Sequence, residues 1–424
     1  MIFDDERKEQ KMFSIKLGLK NLTRQKRRNS ITILVIAFAF FVFLFLDSLM
    51  EGMEEMSFNN IKNYDTGSIQ VVHPAYWEDK DKLPLENLIY LNQDVEESIK
   101  NMDGVLGVSP ELRFKANLTN GIDEIAVQGM GISIEQYNQV FATQNHVIEG
   151  SMFAPGESKA VIGVSLAELM DLKVNDYITL LVRTKEDTFN TIDLEIAGLL
   201  YTPNPMINNG IVFVPLDIAR QALNVENGIS MMAVKINKEK EINPTIDNIN
   251  QIFQEKNMNI NAYSWKESAK TVIAMTTAQD AETAVMLTII LMIGMIGIVN
   301  NVILSSLERT REIGMMKALG MREWEIVSVF MVEATGIGIL GGLAGCFLGA
   351  AGVGWIVKYG YDLSYIGGDM SMYGIPIIDK LYGVWNFSSF VFVFFFGIIV
   401  ALLSSIGPAY WAAHKEPVKA IYHR

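Results

Sequence analysis

The sequence predicts a membrane protein with four transmembrane α-helices and a large extracytoplasmic α/β domain inserted between helices 1 and 2. Three observations carry that expectation. The 424-residue chain is 50% hydrophobic yet 20% charged, with a mean hydropathy of +0.22. That is too apolar for an ordinary soluble protein and too charged for a bare helix bundle. Four apolar runs reach the length of about 20 residues that a helix needs to cross a bilayer. Charge is also unevenly divided: residues 51–280 hold 33 acidic against 17 basic residues, a net of −16, so the rest of a −13 chain carries +3.

Residues 1–29 form a basic N-terminal segment in which Lys11, Lys16, Lys20, Arg24, Lys26, Arg27 and Arg28 follow one another with no acid between them. The first span, 30–50, is apolar but for Asp47. No small-residue cleavage site follows it and "LDSLMEGMEEM" continues as helix, so it reads as an uncleaved anchor, not a signal peptide. Residues 51–282 form the outer domain. Its strand-like runs include "GSIQVVH", "KAVIGV", "YITLLVR", "IDLEIAGLL", "GIVFVP" and "MMAVKI". Between them lie the short helical patterns "VEESIKNM", "SLAELMDL" and "LDIARQAL", with Asn, Gly and Pro at the joints. A domain of about 230 residues can bury its own core, in one or two lobes. Helical sequence at both of its ends predicts a two-helix stalk. Met50, Met53 and Met56 recur there at helical spacing, as stalk packing or as a pliable wall for a lipid or drug.

The other spans are 283–307, 331–357 and 385–413. A charged loop at 308–330 and an outer loop at 358–384 join them, and a tail follows at 414–424. With four spans, Arg309, Arg311, Lys317 and Arg322 of the loop and Lys415, Lys419 and Arg424 of the tail share the side of the basic N-terminus. Basic residues mark the cytoplasmic side. Placing Glu308, Arg309, Arg311 and Glu312 at mid-membrane would cost roughly 10 kcal/mol, so the loop belongs in water.

Several chemistries are excluded. The sequence has no G-x-x-x-x-G-K-[ST] loop to cradle nucleotide phosphates, no H-E-x-x-H and no G-x-S-x-G elbow. His73, His146, His414 and His423 are scattered, and Cys346 is the sole cysteine. The expectation is a protein that is not an enzyme and binds neither metal nor cofactor itself. A pI near 4.9 argues against a nucleic-acid partner.

Drawn as a helix, the charged loop places Ile313, Met316 and Gly320 on one face. It also pairs Glu308 with Arg311 and Arg309 with Glu312, each pair worth only about 0.2–0.5 kcal/mol. Two readings stand: a solvated amphipathic linker, or a helix that docks into a groove of a cytoplasmic partner through Ile313, Met316 and Leu319. In the third span, Gly341, Gly345 and Gly349 make one small-residue ridge, and Gly338 with Gly342 makes another. They permit close helix approach, within the chain or against the first span of a second copy.

A resemblance sharpens these readings. "ERTREIGMMKALG", "IVSVFMVEA" and "GILGGLAGCFLG" resemble the signature of the MacB/FtsX-like (type VII) permeases of bacterial ABC transporters. The chain ends, "IKLGLKNLTRQKRRNSITIL" and "PAYWAAHKEPVKAIYHR", agree with it. "GSMFAPGESKAVIGVSLAELMDLKVNDYITLLV" and "TGSIQVVHPAYW" look most like the lipoprotein-releasing (Lol, LolC/LolE-like) transmembrane subunits. The resemblance implies a MacB-type periplasmic domain and a multi-pass protein of the bacterial inner membrane with both termini cytoplasmic. It also implies a separate ABC ATPase dimer, which binds the ATP and Mg, and a second permease, identical or homologous. By the same carry-over Glu308, Arg309, Arg311, Glu312, Ile313, Gly314, Ala318, Leu319 and Gly320 form the ATPase-coupling helix, to which the amphipathic pattern adds Met316.

Such relatives work by mechanotransmission, passing ATP-driven closure of the spans to the outer domain. The expected activity is extraction of lipoproteins from the outer leaflet of the cytoplasmic membrane toward the outer membrane, with a periplasmic lipoprotein carrier as a further partner. Phe43, Leu46, Met50, Met53, Met286 and Ile290 are the candidate cargo-lining residues. Two alternatives stand: MacB-like efflux of antibiotics or peptides, usually with a fused ATPase domain that this sequence does not show, and FtsX-like control of cell-wall hydrolases, whose members carry a smaller outer domain. The connection "RTKEDTFNT" looks too short for the chaperone-recruiting hook of one lipoprotein-releasing subunit type. "LSYIGGDMSMYGIPIIDKLYGVWNF" is a longer outer loop than the simplest members have.

Overall fold

The computed structural model describes Met12, residues 15–361 and residues 380–414. Most of the expected outer loop at 358–384, the tail beyond His414, and Lys11 lie outside the described residues. A helical stretch at residues 15–24 precedes α1 (Lys26–Ile61), which ends in a π-helical turn at Lys62–Thr66. There follow β1 (Ile69–Val72), α2 (Gln93–Lys100), β2 (Val105–Thr119), β3 (Glu124–Ile132), α3 (Ile134–Val140) and β4 (Val147–Gly150). Next come β5 (Lys159–Gly163), α4 (Val164–Leu169), β6 (Tyr177–Arg183), β7 (Phe189–Leu200) and β8 (Ile211–Pro215). The outer region closes with α5 (Leu216–Leu223), β9 (Met231–Ile236), α6 (Ile242–Glu255) and β10 (Asn261–Ser264). Then come α7 (Lys270–Glu308), α8 (Thr310–Ala318), α9 (Glu323–Tyr359) and α10 (Phe387–Ala413). Helices α1, α7, α9 and α10 are long and apolar enough to cross a membrane. The described residues divide into two compact units: Glu55–Met275, and the residues up to Glu54, from Thr276 to Tyr361 and from Lys380 onward.

The outer unit is organised around β2. Its first residues, Val105 to Glu111, pair with β9, and the row continues through β1 to β10, all antiparallel. From Glu111 to Thr119 the same strand pairs with β3, while Ala116–Thr119 also meet β6. The ladder β3–β8–β5–β7–β6 returns to β2, so six strands form a closed ring. Closure leaves no unpaired strand edge in that ring. Along β2, Leu112, Phe114, Ala116 and Leu118 are buried in the main outer core, whereas Lys115 and Asn117 are exposed, the period of two expected of a strand with one face inward. Gly129 stands opposite Phe114 in β3, and a Cβ there would collide with the ring.

The six expected strand runs became β1, β5, β6, β7, β8 and β9, with "YITLLVR" and "MMAVKI" coinciding with β6 and β9. Of the four described strands outside those runs, β2 and β3 are the two longest. Their text, "ELRFKANLTNGIDEIAVQG", reads as polar because half of every turn of the pleat faces water. The Asn120–Asp123 connection, where Asn120 Oδ1 accepts from Ile122 N–H at 2.9 Å, was the signal available.

In the membrane unit, Ile36, Phe40 and Leu44 of α1 share a core with Leu291 and Ile298 of α7, Phe330 and Ile337 of α9, and Val393 and Ala401 of α10. The glycine ridges are used inside the chain. Cβ atoms at Gly341 and Gly345 would lie 2.8 Å from Ile36 and 2.6 Å from Phe40, and one at Gly349 would collide with Leu44, so this ridge seats α1. Gly338 would meet Ala401 of α10 at 2.7 Å, and Gly342 would meet Phe394 at 3.0 Å. The alternative of packing against a second copy is corrected by this: both ridges are already covered by the chain's own helices.

Candidate functional site

The charged loop builds one site. Helix α7 ends at Glu308 and α8 begins at Thr310; Arg309 between them breaks the helix at φ −105° and ψ 18°. Helix α8 closes on a left-handed glycine. Met321 N–H donates to the Met316 carbonyl and Gly320 N–H to that of Lys317, both at 3.0 Å, with Gly320 at φ +92°. A Cβ at Gly320 would meet nothing within 4 Å, so the backbone angle and not space calls for glycine there. The Glu325 carboxylate accepts from Arg322 N–H at 2.8 Å and starts α9.

Ion pairs fasten α8 to its neighbours. Arg309 Nε meets Glu312 at 2.7 Å and its Nη1 meets Glu333 of α9 at 3.1 Å, with the guanidinium 5.7 Å from the Phe330 ring. Arg24 reaches Glu312 at 2.6 Å, Arg28 reaches Glu308 at 2.7 Å, and Lys317 reaches Glu323 at 3.2 Å. Of the two expected pairs, Arg309–Glu312 is present, whereas Glu308 turns to Arg28 of α1 instead of Arg311. Burial opposes ionisation of Glu312, but hydrogen bonds from Arg309 and Arg24 outweigh it and hold the carboxyl below its usual range.

The proposed docking face is corrected in part. Ile313 is 2% exposed, Gly314 is buried and Met316 packs against the membrane-unit core. The opposite face looks outward: Arg311, Met315 and Ala318 are exposed, and Leu319 is 86% exposed. Positions 311, 315, 318 and 319 fall at i, i+4, i+7 and i+8, one helix face. Turning Ile313 and Met316 onto the bundle removes apolar surface from water, and that leaves the other stripe free.

The six cargo-lining candidates do not converge. Phe43 and Met50 line a cavity of about 290 Å³ with Leu287, Thr288 and Phe392; Asp47, Glu51 and Glu54 also line it. Ile290 instead borders a second groove of about 450 Å³ with Val35, Phe38 and Ile293. Leu46 packs on the core, Met53 is half-buried, and Met286 is 51% exposed. The carboxylates were legible as an i, i+4, i+7 pattern on α1.

Sequence reasoning also passed over a charge cluster inside the outer unit. Glu111 is fully buried; its Oε2 accepts from Arg113 Nε at 2.9 Å, and its Oε1 has no hydrogen-bond partner among the described residues. Arg113 also donates to Asp65 Oδ1 at 3.0 Å and to the Asp65 carbonyl at 2.6 Å, gripping the π-turn after α1. Burial pushes the Glu111 carboxyl up to about 7, against the pull of Arg113. Among the described residues no group of His, Cys, Asp or Glu is placed to hold a metal ion.

The family model "MacB-like periplasmic core domain" matches residues 30–252, more than half of the chain, and "FtsX-like permease C-terminal" matches residues 284–417. The chain belongs to the MacB/FtsX-like family of ABC transporter permeases. An uncharacterised ABC transporter permease of Methanocaldococcus jannaschii is 20% identical over 415 residues, 96% of this permease and 97% of that protein. The macrolide export ATP-binding/permease protein MacB of Psychrobacter arcticus is 24% identical over 429 residues. That match covers 96% of this permease, which spans only 59% of that relative's length. The lipoprotein-releasing system transmembrane protein LolC of Neisseria meningitidis is 20% identical over 332 residues, 76% of this permease and 79% of LolC. Among solved structures, the extracellular domain of YknZ from Gram-positive bacteria superposes with a TM-score of 0.35 at 15% identity, over 46% of this permease and all of that domain. Four membrane-length helices and a large extracytoplasmic-type domain make the permease a multi-pass membrane protein.

Proposed function

We propose that the permease receives work from a separate ABC ATPase dimer through α8 and passes it along α1 and α7 to the outer unit. The single observation carrying this reading is the outward stripe Arg311–Met315–Ala318–Leu319, held on a helix whose other face is buried and whose one acid, Glu312, is ion-paired. An exposed apolar stripe on an otherwise fastened helix fits a groove in a partner. In this reading ATP and Mg bind the ATPase, both permease termini are cytoplasmic, and a second permease completes the assembly.

For the cargo we propose lipoproteins drawn from the outer leaflet of the cytoplasmic membrane. The likeness to LolC over about three quarters of each chain and the apolar groove lined by α1 and α7 support it. Efflux of a cationic amphiphile is the second reading, favoured by the Asp47, Glu51 and Glu54 carboxylates on the 290 Å³ cavity and by the MacB relative.

One reconstitution tests both levels. A photocrosslinker at Met50, in proteoliposomes holding permease, ATPase and an acylated reporter protein, is expected to capture the reporter in an ATP-dependent way. Leu319→Glu should abolish that capture and weaken ATPase binding at least tenfold. Capture of a soluble cationic drug in place of the reporter would favour efflux, and unchanged ATPase binding by Leu319→Glu would overturn the docking reading.

A further inference from the structure

We infer that Glu333, on α9, is a positioning residue for the docking helix: acting through Arg309, it sets the angle at which α8 presents Met315, Ala318 and Leu319. The inference rests on the reading of α8 as the ATPase-docking helix. Glu333 is 4% exposed and Arg309 7% exposed, so this pair is out of water on both sides. Stability alone is a poor reason for such a pair, since well-packed apolar residues of similar volume serve a buried site equally well or better.

The placement of Arg309 supplies a better reason. It is the non-helical residue joining α7 to α8, so the direction of its side chain is tied to the angle between those helices. Its planar fork uses Nε on Glu312 of α8 at 2.7 Å and Nη1 on Glu333 of α9 at 3.1 Å. A guanidinium held at two points of its rigid plane fixes orientation as well as distance. Ser305 Oγ of α7 also lies 3.5 Å from Glu333 Oε1, so the carboxylate on α9 meets the end of α7 and, through Arg309, the start of α8. The other ties of α8 are looser. Arg24 of the Arg24–Glu312 pair has 63% of its side chain exposed, and Lys317–Glu323 joins a side chain that is 41% exposed. Exposed pairs of that kind contribute little. Removing the Glu333 charge therefore frees the angle of α8 while leaving its buried Ile313 in place.

Hydrogen exchange of the full-length permease, alone and titrated with its ATPase subunit, tests this. In Glu333→Gln, which keeps shape but not charge, the amides of α8 should exchange at least tenfold faster while those of α9 and α10 hold their native rates. ATPase affinity should fall about tenfold, and Glu333→Asp should recover most of both effects. Unchanged α8 exchange in Glu333→Gln, or acceleration spread equally over the bundle, would overturn the inference. If Glu333→Gln fails to accumulate in membranes, Arg309→Lys, which keeps the charge and loses the fork, is judged by the same two criteria. Should Leu319→Glu leave ATPase binding intact, the docking reading falls, yet the exchange comparison still decides whether Glu333 positions α8.

Discussion

Glu111 shows how much one buried side chain can ask of its surroundings. Burial raises its carboxyl to about 7, the Arg113 guanidinium pulls it back, and Asp65 adds a smaller upward push. An unfolded glutamate titrates near 4.5, so the folded state binds the proton more tightly than the unfolded one. The contribution of this group is therefore greatest below pH 4.5 and is lost as pH rises through about 7, by roughly 3 kcal/mol in all. Thermal unfolding of the full-length permease, followed through the outer unit, should show a steeper fall between pH 5 and pH 8 than the same scan of Glu111→Gln. Parallel pH profiles for the two proteins would show that Glu111 does not titrate there. Arg113 is the opposite case: burial works against its charge, but Glu111 and Asp65 outweigh it and hold the guanidinium protonated. None of this was legible from "PELRFKAN", since the burial of Glu111 depends on β9 and β3 flanking β2 at that residue.

At the scale of elements, helix pairing in the membrane unit turns on missing side chains. Gly341, Gly345 and Gly349 let α9 approach α1 until Ile36, Phe40 and Leu44 fill the space that side chains would take. Gly345→Val would place branched carbons against Phe40 and the Ala37 backbone, where backbone cannot yield. Overpacking of that kind costs about 1–3 kcal/mol. A melting midpoint lowered by several degrees in detergent, with less folded protein in the membrane, is the expected result. Gly354, whose added Cβ would first meet Trp385 at 3.5 Å, is the control expected to tolerate alanine. The small-residue spacing was readable in the sequence, but its partner was not. A ridge announces close approach and leaves open which helix approaches.

For the whole molecule, the decisive arrangement is the division of charge between the two units. The outer unit carries most of the acids, whereas Arg24, Arg28, Arg309 and Lys317 gather where α1 starts and α8 lies, each in an ion pair with a carboxylate. In the proposed orientation, with both termini cytoplasmic, protease added to intact spheroplasts should cut within residues 67–264 and spare α8, and inverted vesicles should give the reverse. Cleavage of α8 from outside would invert the topology and remove the ATPase reading with it.

The sequence by itself determined the number of membrane-length helices, the insertion of a large α/β unit after the first of them and six of the ten strands found among the described residues. Those features rest on local properties: length of apolar run, period of burial, turn residues and charge balance. Tertiary structure decided what depends on contacts between distant segments. The strands of the outer unit close into a ring because β6 meets β2 across some 60 residues of chain. Ile313 and Met316 turn inward because the bundle offers them an apolar surface, leaving Leu319 and Met315 exposed. Glu333 gains its significance only from Arg309, 24 residues away. Pairing of that kind is a property of packing, and no window of sequence contains it.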